Sequence, residues 1–327
     1  MFPIAVYLPD NRLSNEDLHR EFPDWNPEKI AKKIGIQNRH IADKDETALD
    51  MAYQAAEKLF ALHPELRWET DYLLFCTQSP DYLLPTTACL LQDRLQLRKS
   101  IGALDFNLGC SGFIYGLSLA KGLLCAGMAS GVLLVTSETY SKYIHPRDRG
   151  NRSIFGDAAA VTFLRKDDIA RIGDFVFGTD GSGAENLIVH AGGARRPVNL
   201  EKNPGKDDCP SDSNLYMNGP EIFNFTIEVV PEMVKQVLVK NHLTLSEVDY
   251  VIFHQANSFI LNYLRTMLDI PEEKFYINLT QTGNTVSSTL PIAIKEAEQR
   301  GLIRKGDKIL LTGFGVGYSY GATVLTF

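Results

Sequence analysis

The chain repeats itself. Residues 71–78 read DYLLFCTQ and residues 249–256 read DYVIFHQA, each an acidic residue, a short buried-strand run and a polar turn. FNLGCSG (106–112) is echoed by INLTQTGN (277–284), and GDAAAVTFL (156–164) by YGATVLTF (320–327), in the same order. One echo carries little, because apolar strands resemble one another; three in order point to a duplicated unit. The join falls near 165–180, which divides the chain into halves 1–172 and 173–327.

Hydrophobic spacing fills both halves with alternating strands and helices. Strands are predicted at 3–8, 72–76, 102–106 and 131–137, with helices from 15 (capped by Ser14), over 45–62, 87–97 and 111–126. The second half follows with helices at 220–241, 257–268 and 289–300 and strands at 249–254, 275–278, 308–312 and 321–327. Strand–helix alternation predicts an α/β fold of largely parallel sheets covered by helices. The stretch 178–215, rich in Gly, Asp, Asn and Pro, is expected to be a long loop region.

Composition excludes several classes. With 44% hydrophobic and 22% charged residues the chain is an ordinary globular one. Its apolar runs fall short of the ~18 residues a membrane-spanning helix needs. MFPIAVYLPDNRLSNEDL lacks a basic leader and cleavage site, so export is not expected. The net charge of −7 argues against nucleic acid or an anionic membrane as partner. The five cysteines, at 76, 89, 110, 125 and 209, show no zinc-type spacing. No metal is expected, and a reduced, cytoplasmic protein is.

Cys110 lies where a buried strand gives way to an apolar helix, between Gly109 and Gly112. A helix N-terminus favours the thiolate, which makes this cysteine the candidate nucleophile. The other four read as small structural residues. His254 closes the strand DYVIF, where ligands meet α/β sheets. Asn284 sits in a Gly-Asn turn before a helix, and on spacing alone a turn or capping role suits it. GFGVG (313–317) can present backbone N–H groups to an anion.

These features resemble the thiolase superfamily, most closely the β-ketoacyl-acyl-carrier-protein synthase III family. The resemblance runs along nearly the whole chain: SNEDL (14–18), GIQNRHI (35–41), the cysteine segment, TSETYSK (136–142), DRGNRSIFGDAAA (148–160), MNGPEIF (217–223), HQAN (254–257), GNT (283–285) and the glycine turn. It implies a five-layered α/β/α/β/α thiolase-like fold, homodimeric through the sheet edge near 75–110. It also implies a condensing acyltransferase of fatty acid or secondary metabolism with no bound cofactor, whose substrates are thioesters of coenzyme A or an acyl-carrier protein. Carried over, Cys110 takes the acyl group, and His254 and Asn284 hydrogen-bond the enolate formed as a malonyl-type extender loses carbon dioxide. The backbone N–H groups of Cys110 and Val316 form the oxyanion hole.

For substrate binding the resemblance implies Arg149 on the phosphate side of coenzyme A, Lys33 where a basic residue is usual, Phe223 of the MxGxxxF segment, and Leu84 reaching across the dimer to limit the acyl pocket. Leucine there, smaller than the usual phenylalanine, predicts room for more than acetyl. The chain also departs from the family. Lys29 stands where a tryptophan usually stacks on adenine, with Trp25 four residues early. Phe259 and Asn224 stand where basic residues usually dock the carrier, leaving Arg265. These departures keep a second reading open: an acyltransferase or condensing enzyme of secondary metabolism that passes the acyl group to an alcohol, an amine or a β-keto acid. A type III polyketide synthase, a non-catalytic subunit and a cysteine hydrolase are weaker rivals.

Overall fold

A computed structural model describes residues 2–198 and 211–327. The first half runs β1 (Ile4–Tyr7), β2 (Arg12–Ser14), α1 (Asn15–Glu21), α2 (Pro27–Ile34), β3 (Asn38–His40), α3 (Ala48–Leu62), α4 (Leu66–Glu69) and β4 (Tyr72–Cys76). It continues through α5 (Thr87–Arg94), β5 (Gly102–Phe106), α6 (Gly112–Cys125), β6 (Gly131–Glu138), α7 (Arg149–Ile154) and β7 (Ala158–Arg165). The second half holds β8 (Val176–Thr179), β9 (Leu187–Val189), β10 (Leu215–Met217), α8 (Gly219–Lys240) and β11 (Tyr250–Phe253). It ends with α9 (Ser258–Met267), β12 (Phe275–Tyr276), α10 (Thr289–Gln299), β13 (Lys308–Gly315) and β14 (Ser319–Thr326).

Local chemistry sets the helix starts. Ser14 and Asp17 close a capping box on α1, and Thr47 and Asp50 close one on α3. Helix α2, not predicted, carries its own signals: Asn26 caps it, Pro27 opens it, and Gly35 ends it in the left-handed region.

The two five-stranded sheets have the same plan. One runs β1-β7-β6-β4-β5 and the other β8-β14-β13-β11-β12. In each, the strand next to one edge (β4 or β11) has parallel neighbours on both sides, and the two pairings at the other end of the sheet are antiparallel. The sheets are therefore mixed, not largely parallel as the alternation suggested. Each half ends with its last long strand antiparallel to the long strand before it, a pairing that requires no crossover.

Strand residues alternate between two cores. Leu73 and Phe75 of β4 face Met51, Leu59 and Leu91 of α3 and α5, whereas Leu74 faces the molecular centre. In the second sheet Val251 and Phe253 face Val234 and Leu261 of α8 and α9, and Ile252 faces the centre. There Ile114 and Leu117 of α6 and Leu290 and Ile294 of α10 pack between the sheets. The layers are helices, sheet, central helices, sheet, helices, the five-layered thiolase-like arrangement. Burying each such leucine or isoleucine stabilises the fold by about 1.5–3 kcal/mol.

The expected loop over 178–215 contains β9 and ends at the first residue of β10, with which β9 pairs antiparallel. Strands of three residues in a Gly- and Asp-rich context leave little period-two signal. Cys209 lies outside the described residues. Cys76 is buried, but Cys89 and Cys125 are exposed, so burial does not explain those two.

Candidate active site

The fold brings Cys110, His254 and Asn284 to one cavity. Cys110 lies between β5 and α6 and is 6% exposed. The end of β13 runs directly over it: a Cβ on Gly315 would lie 2.8 Å from Cys110 Cβ and 2.9 Å from Sγ. Glycine is needed there for clearance. The predicted N–H turn over 313–317 is accordingly shorter, because Gly313 and Gly315 belong to β13 and pair with β14.

Burial, and then the Glu138 carboxylate, push the Cys110 thiol up to about 12, against the backbone N–H groups of Cys110 and Val316 that face the sulfur. The helix start was expected to favour the thiolate, and burial outweighs it. A helix terminus supplies at most ~2 kcal/mol, roughly 1.5 pH units. Full burial shifts a group by up to about 3–5. Cys110 therefore rests as a thiol.

His254 follows β11, and its backbone N–H donates to Thr312 O at 2.8 Å. Burial lowers the imidazole to about 3, so the ring is neutral. Nδ1 lies 2.7 Å from Thr289 Oγ1, at the first residue of α10, and the ring stands edge-on to Phe314. The Thr289 hydroxyl has one proton. Donated to Nδ1, it leaves the ring proton on Nε2 for a ligand; donated to Val286 O at 3.0 Å, it reverses the tautomer.

Asn284 is held from both sides. Its N–H donates to Ile154 O at 2.9 Å and its carbonyl accepts from Gly156 at 3.0 Å, stitching the second half to the first. Gly283 before it has φ +67, and a Cβ there would lie 2.8 Å from Ile154 O. Asn284 Oδ1 accepts from the Val286 N–H at 2.9 Å, which leaves the amide protons for a ligand. Val286 has φ +56, an unfavourable conformation for a β-branched residue, held where the turn aims Asn284.

Cys110, His254 and Asn284 line one narrow apolar cavity of about 130 Å³, closed by Leu187, Met217 and Phe314. A wider cavity of about 600 Å³ adjoins it, sharing Leu187 and bounded by Val316, Tyr140 and Leu83. The other expected site residues stand apart. Arg149 and Lys33 are outside the cavity, Lys33 exposed on α2. Phe223 packs on Phe259 and Tyr263. Leu84 is 83% exposed, next to Leu83 at the rim of the wider cavity.

Two residues missed in the sequence bear on the site. Thr289 is one. Glu138, fully buried at the end of β6, accepts from the Gln78 N–H (3.0 Å), the Ser79 hydroxyl (3.2 Å) and the Ser287 hydroxyl (2.8 Å). Burial pushes it up to about 8 despite these donors. An acidic residue directly after the buried run GVLLVTS was its signal. Trp25, given no role in the sequence, has the Arg149 guanidinium over its ring at 4.8 Å, and Arg149 pairs with Asp24 at 2.5 Å.

Comparison with known proteins agrees with the fold. Residues 104–181 match the family model for 3-oxoacyl-[acyl-carrier-protein] synthase III, and residues 238–327 match that for its C-terminal part. The β-ketoacyl-[acyl-carrier-protein] synthase III of Clostridium perfringens is 35% identical over 326 residues, covering 99% of this chain and 98% of that one. A crystal structure of a 3-oxoacyl-(acyl-carrier-protein) synthase III superposes with a TM-score of 0.93 at 46% identity, covering 99% and 98% of the two chains. The priming β-ketosynthase of the R1128 polyketide pathway superposes with a TM-score of 0.88 at 26% identity, covering 99% and 94%. The duplicated sheets and the sequence agree: the chain belongs to the 3-oxoacyl-[acyl-carrier-protein] synthase III family of condensing acyltransferases.

Proposed function

We propose that the two halves, 1–172 and 173–327, divide a ping-pong condensation, the first supplying the nucleophile and the second the donors that stabilise the enolate. Cys110 Sγ attacks the carbonyl of an acyl thioester, and its proton leaves with the departing thiol. The Cys110 and Val316 N–H groups hold the oxyanion of that step. A malonyl-type thioester then breaks its C–C bond to carbon dioxide, and the electron pair moves into an enolate. His254 Nε2–H and Asn284 Nδ2–H donate to its oxygen. The enolate carbon attacks the acyl-cysteine, expels the Cys110 thiolate as the β-ketoacyl thioester forms, and the thiolate is reprotonated from solvent.

The observation that carries this reading is the neutral, buried His254 beside Asn284 in the Cys110 cavity. An imidazole at about 3 is a poor base and a good neutral donor at pH 7. It suits an enolate and disfavours transfer to an alcohol or amine, which asks for a base. The narrow cavity suits a pantetheine arm, and the wider one the acyl chain. Leu83 and Leu84, 86% and 83% exposed, are an apolar projection that a second copy would cover in a homodimer. Among the described residues no helix is long and apolar enough to cross a membrane, and cytoplasmic thioesters of an acyl-carrier protein or coenzyme A are the proposed substrates.

Intact-protein mass spectrometry with a panel of acyl thioesters tests the reading. A single acyl adduct is expected on the wild type and none on Cys110→Ser. An adduct that persists in the variant contradicts it.

A further inference from the structure

We propose that the wider cavity is built for an acyl chain carrying a neutral oxygen, a hydroxyl or keto group, and that Gln78 selects it. This rests on the reading above, in which a thioester loads Cys110 and the wider cavity takes the chain, and it adds the chemical class of that chain.

Gln78 follows β4 and lines the wider cavity together with Asn107 and Tyr140. Its backbone is fixed twice: the N–H donates to Glu138 Oε2 at 3.0 Å, and the carbonyl accepts from the Tyr143 hydroxyl at 3.1 Å. Its side chain lies beside the nucleophile turn. A Cβ on Gly109, the residue before Cys110, would lie 2.5 Å from Gln78 Oε1 and 2.9 Å from Val316 Cγ1. Val316 is the residue whose N–H faces the sulfur, and it also bounds the wider cavity. A chain on Cys110 Sγ that enters this cavity therefore passes the Gln78 amide.

The partners set the amide's orientation. Burial raises Tyr140 well above its ordinary value, so its hydroxyl keeps the proton and donates it to Gln78 Oε1. The amide nitrogen is left for Asn107, and Nε2 donates one proton to Asn107 Oδ1 at 2.9 Å. The second Nε2 proton and both Asn107 Nδ2 protons have no partner among the described residues. A network that only braced the turn would close on itself, whereas this one ends in unpaired N–H groups on a cavity wall. An alkyl chain would displace water from them and offer nothing in return. A hydroxyl or keto oxygen supplies the acceptor. Leu83, Leu187, Leu215 and Val316 give the rest of the chain apolar lining. Among the described residues that lining includes Asp81 and no Lys, Arg or His, so a carboxylate on the chain would meet no counter-charge.

The test follows the rate of Cys110 acylation by intact-protein mass spectrometry, with pantetheine thioesters of 3-hydroxybutyrate, 3-methylbutyrate and succinate. The first two share a shape and differ by a hydroxyl in place of a methyl. Wild type is expected to load 3-hydroxybutyryl at least about tenfold faster than 3-methylbutyryl, and faster than succinyl. Gln78→Met keeps the length and removes the donors. It should lower the hydroxyl-to-methyl ratio at least about tenfold, partly by loading 3-methylbutyryl faster than wild type, a gain no unfolded variant can show. Tyr140→Phe releases the amide from its orientation and should lower the same ratio several-fold, which keeps the test open if the methionine variant does not fold. A wild type that loads both neutral groups equally would overturn the proposal, as would an unchanged ratio in folded Gln78→Met. Succinyl loading as fast as 3-hydroxybutyryl would overturn it too, by assigning the pocket to an anion. No adduct on wild type from any donor, or one that persists on Cys110→Ser, would instead refute the loading step itself, which the ratio outcomes leave standing.

Discussion

The two halves place different residues at the same point of the same strand. DYLLFC closes β4 with Cys76, and DYVIFH places His254 directly after β11. Cys76 is buried and its thiol donates to Leu108 O at 3.0 Å, a contact that braces the nucleophile turn. His254 meets the reaction cavity. One segment on, FNLGCSG carries Cys110 where INLTQTGN carries Gln281. The matching plans thus offer two equivalent strand ends and two equivalent helix starts, and on the proposed reading only one member of each pair, His254 and Cys110, carries chemistry. The site is complete only where they meet, through Asn284 on Ile154 and Gly156, Ser287 on Glu138 and Thr136 on Ser288 at 2.9 Å.

The sharpest contrast is between the two buried cysteines. Cys110→Ala should abolish turnover, a loss of at least about 10⁴-fold, whereas Cys76→Ala should retain it and lower stability by about 1–2 kcal/mol. Steady-state rates beside denaturant melts decide this. Equal losses would make Cys76 a second functional thiol and erase the asymmetry.

The next largest effect falls on the donors. Replacing His254 or Asn284 by alanine is expected to slow condensation by about 10²–10³-fold each, with acylation of Cys110 much less affected. Single-turnover measurements of the two steps separate them. Thr289→Val removes the hydroxyl that sets the His254 tautomer and keeps the shape. It should slow condensation by roughly tenfold and leave acylation intact. An unchanged rate would mean that the tautomer is fixed otherwise.

The smallest effect is on stability. Glu138 has a folded value near 8, well above its ordinary 4.5. The folded protein therefore holds a proton that the unfolded chain releases between those values. That contribution is full below pH 4.5, and it is lost as pH rises through about 8. Glu138→Gln should flatten this part of the pH–stability curve, so that the variant gains on the wild type by a few degrees between pH 5 and 8.5. Parallel curves would show that Glu138 does not carry the dependence.

What could be read from the sequence follows the range of each cause. DYLLFC and DYVIFH are contiguous apolar runs, so the repeat and both of these strands were visible. Cys110, His254 and Asn284 sit in local turn contexts and could be named one by one. Counting along the chain could not assign Trp25, because its partner Arg149 lies a long distance away in sequence. The same distance hid Thr289 from His254 and Glu138 from Ser287. The protonation of Cys110 went the other way from its helix-start signal because burial is set by the whole fold. The antiparallel outer strands escaped because a strand's direction leaves no mark on its own composition.

The division of labour between the halves is tested most directly with His254→Ala/Asn284→Ala. The variant is mixed with an acyl thioester, then with a malonyl thioester, and followed by intact-protein mass spectrometry. The acyl mass is expected on Cys110 at close to the wild-type rate and should then persist, since the enolate lacks its donors. A variant that never takes up the acyl group would contradict the account, because His254 or Asn284 would then be activating the thiol.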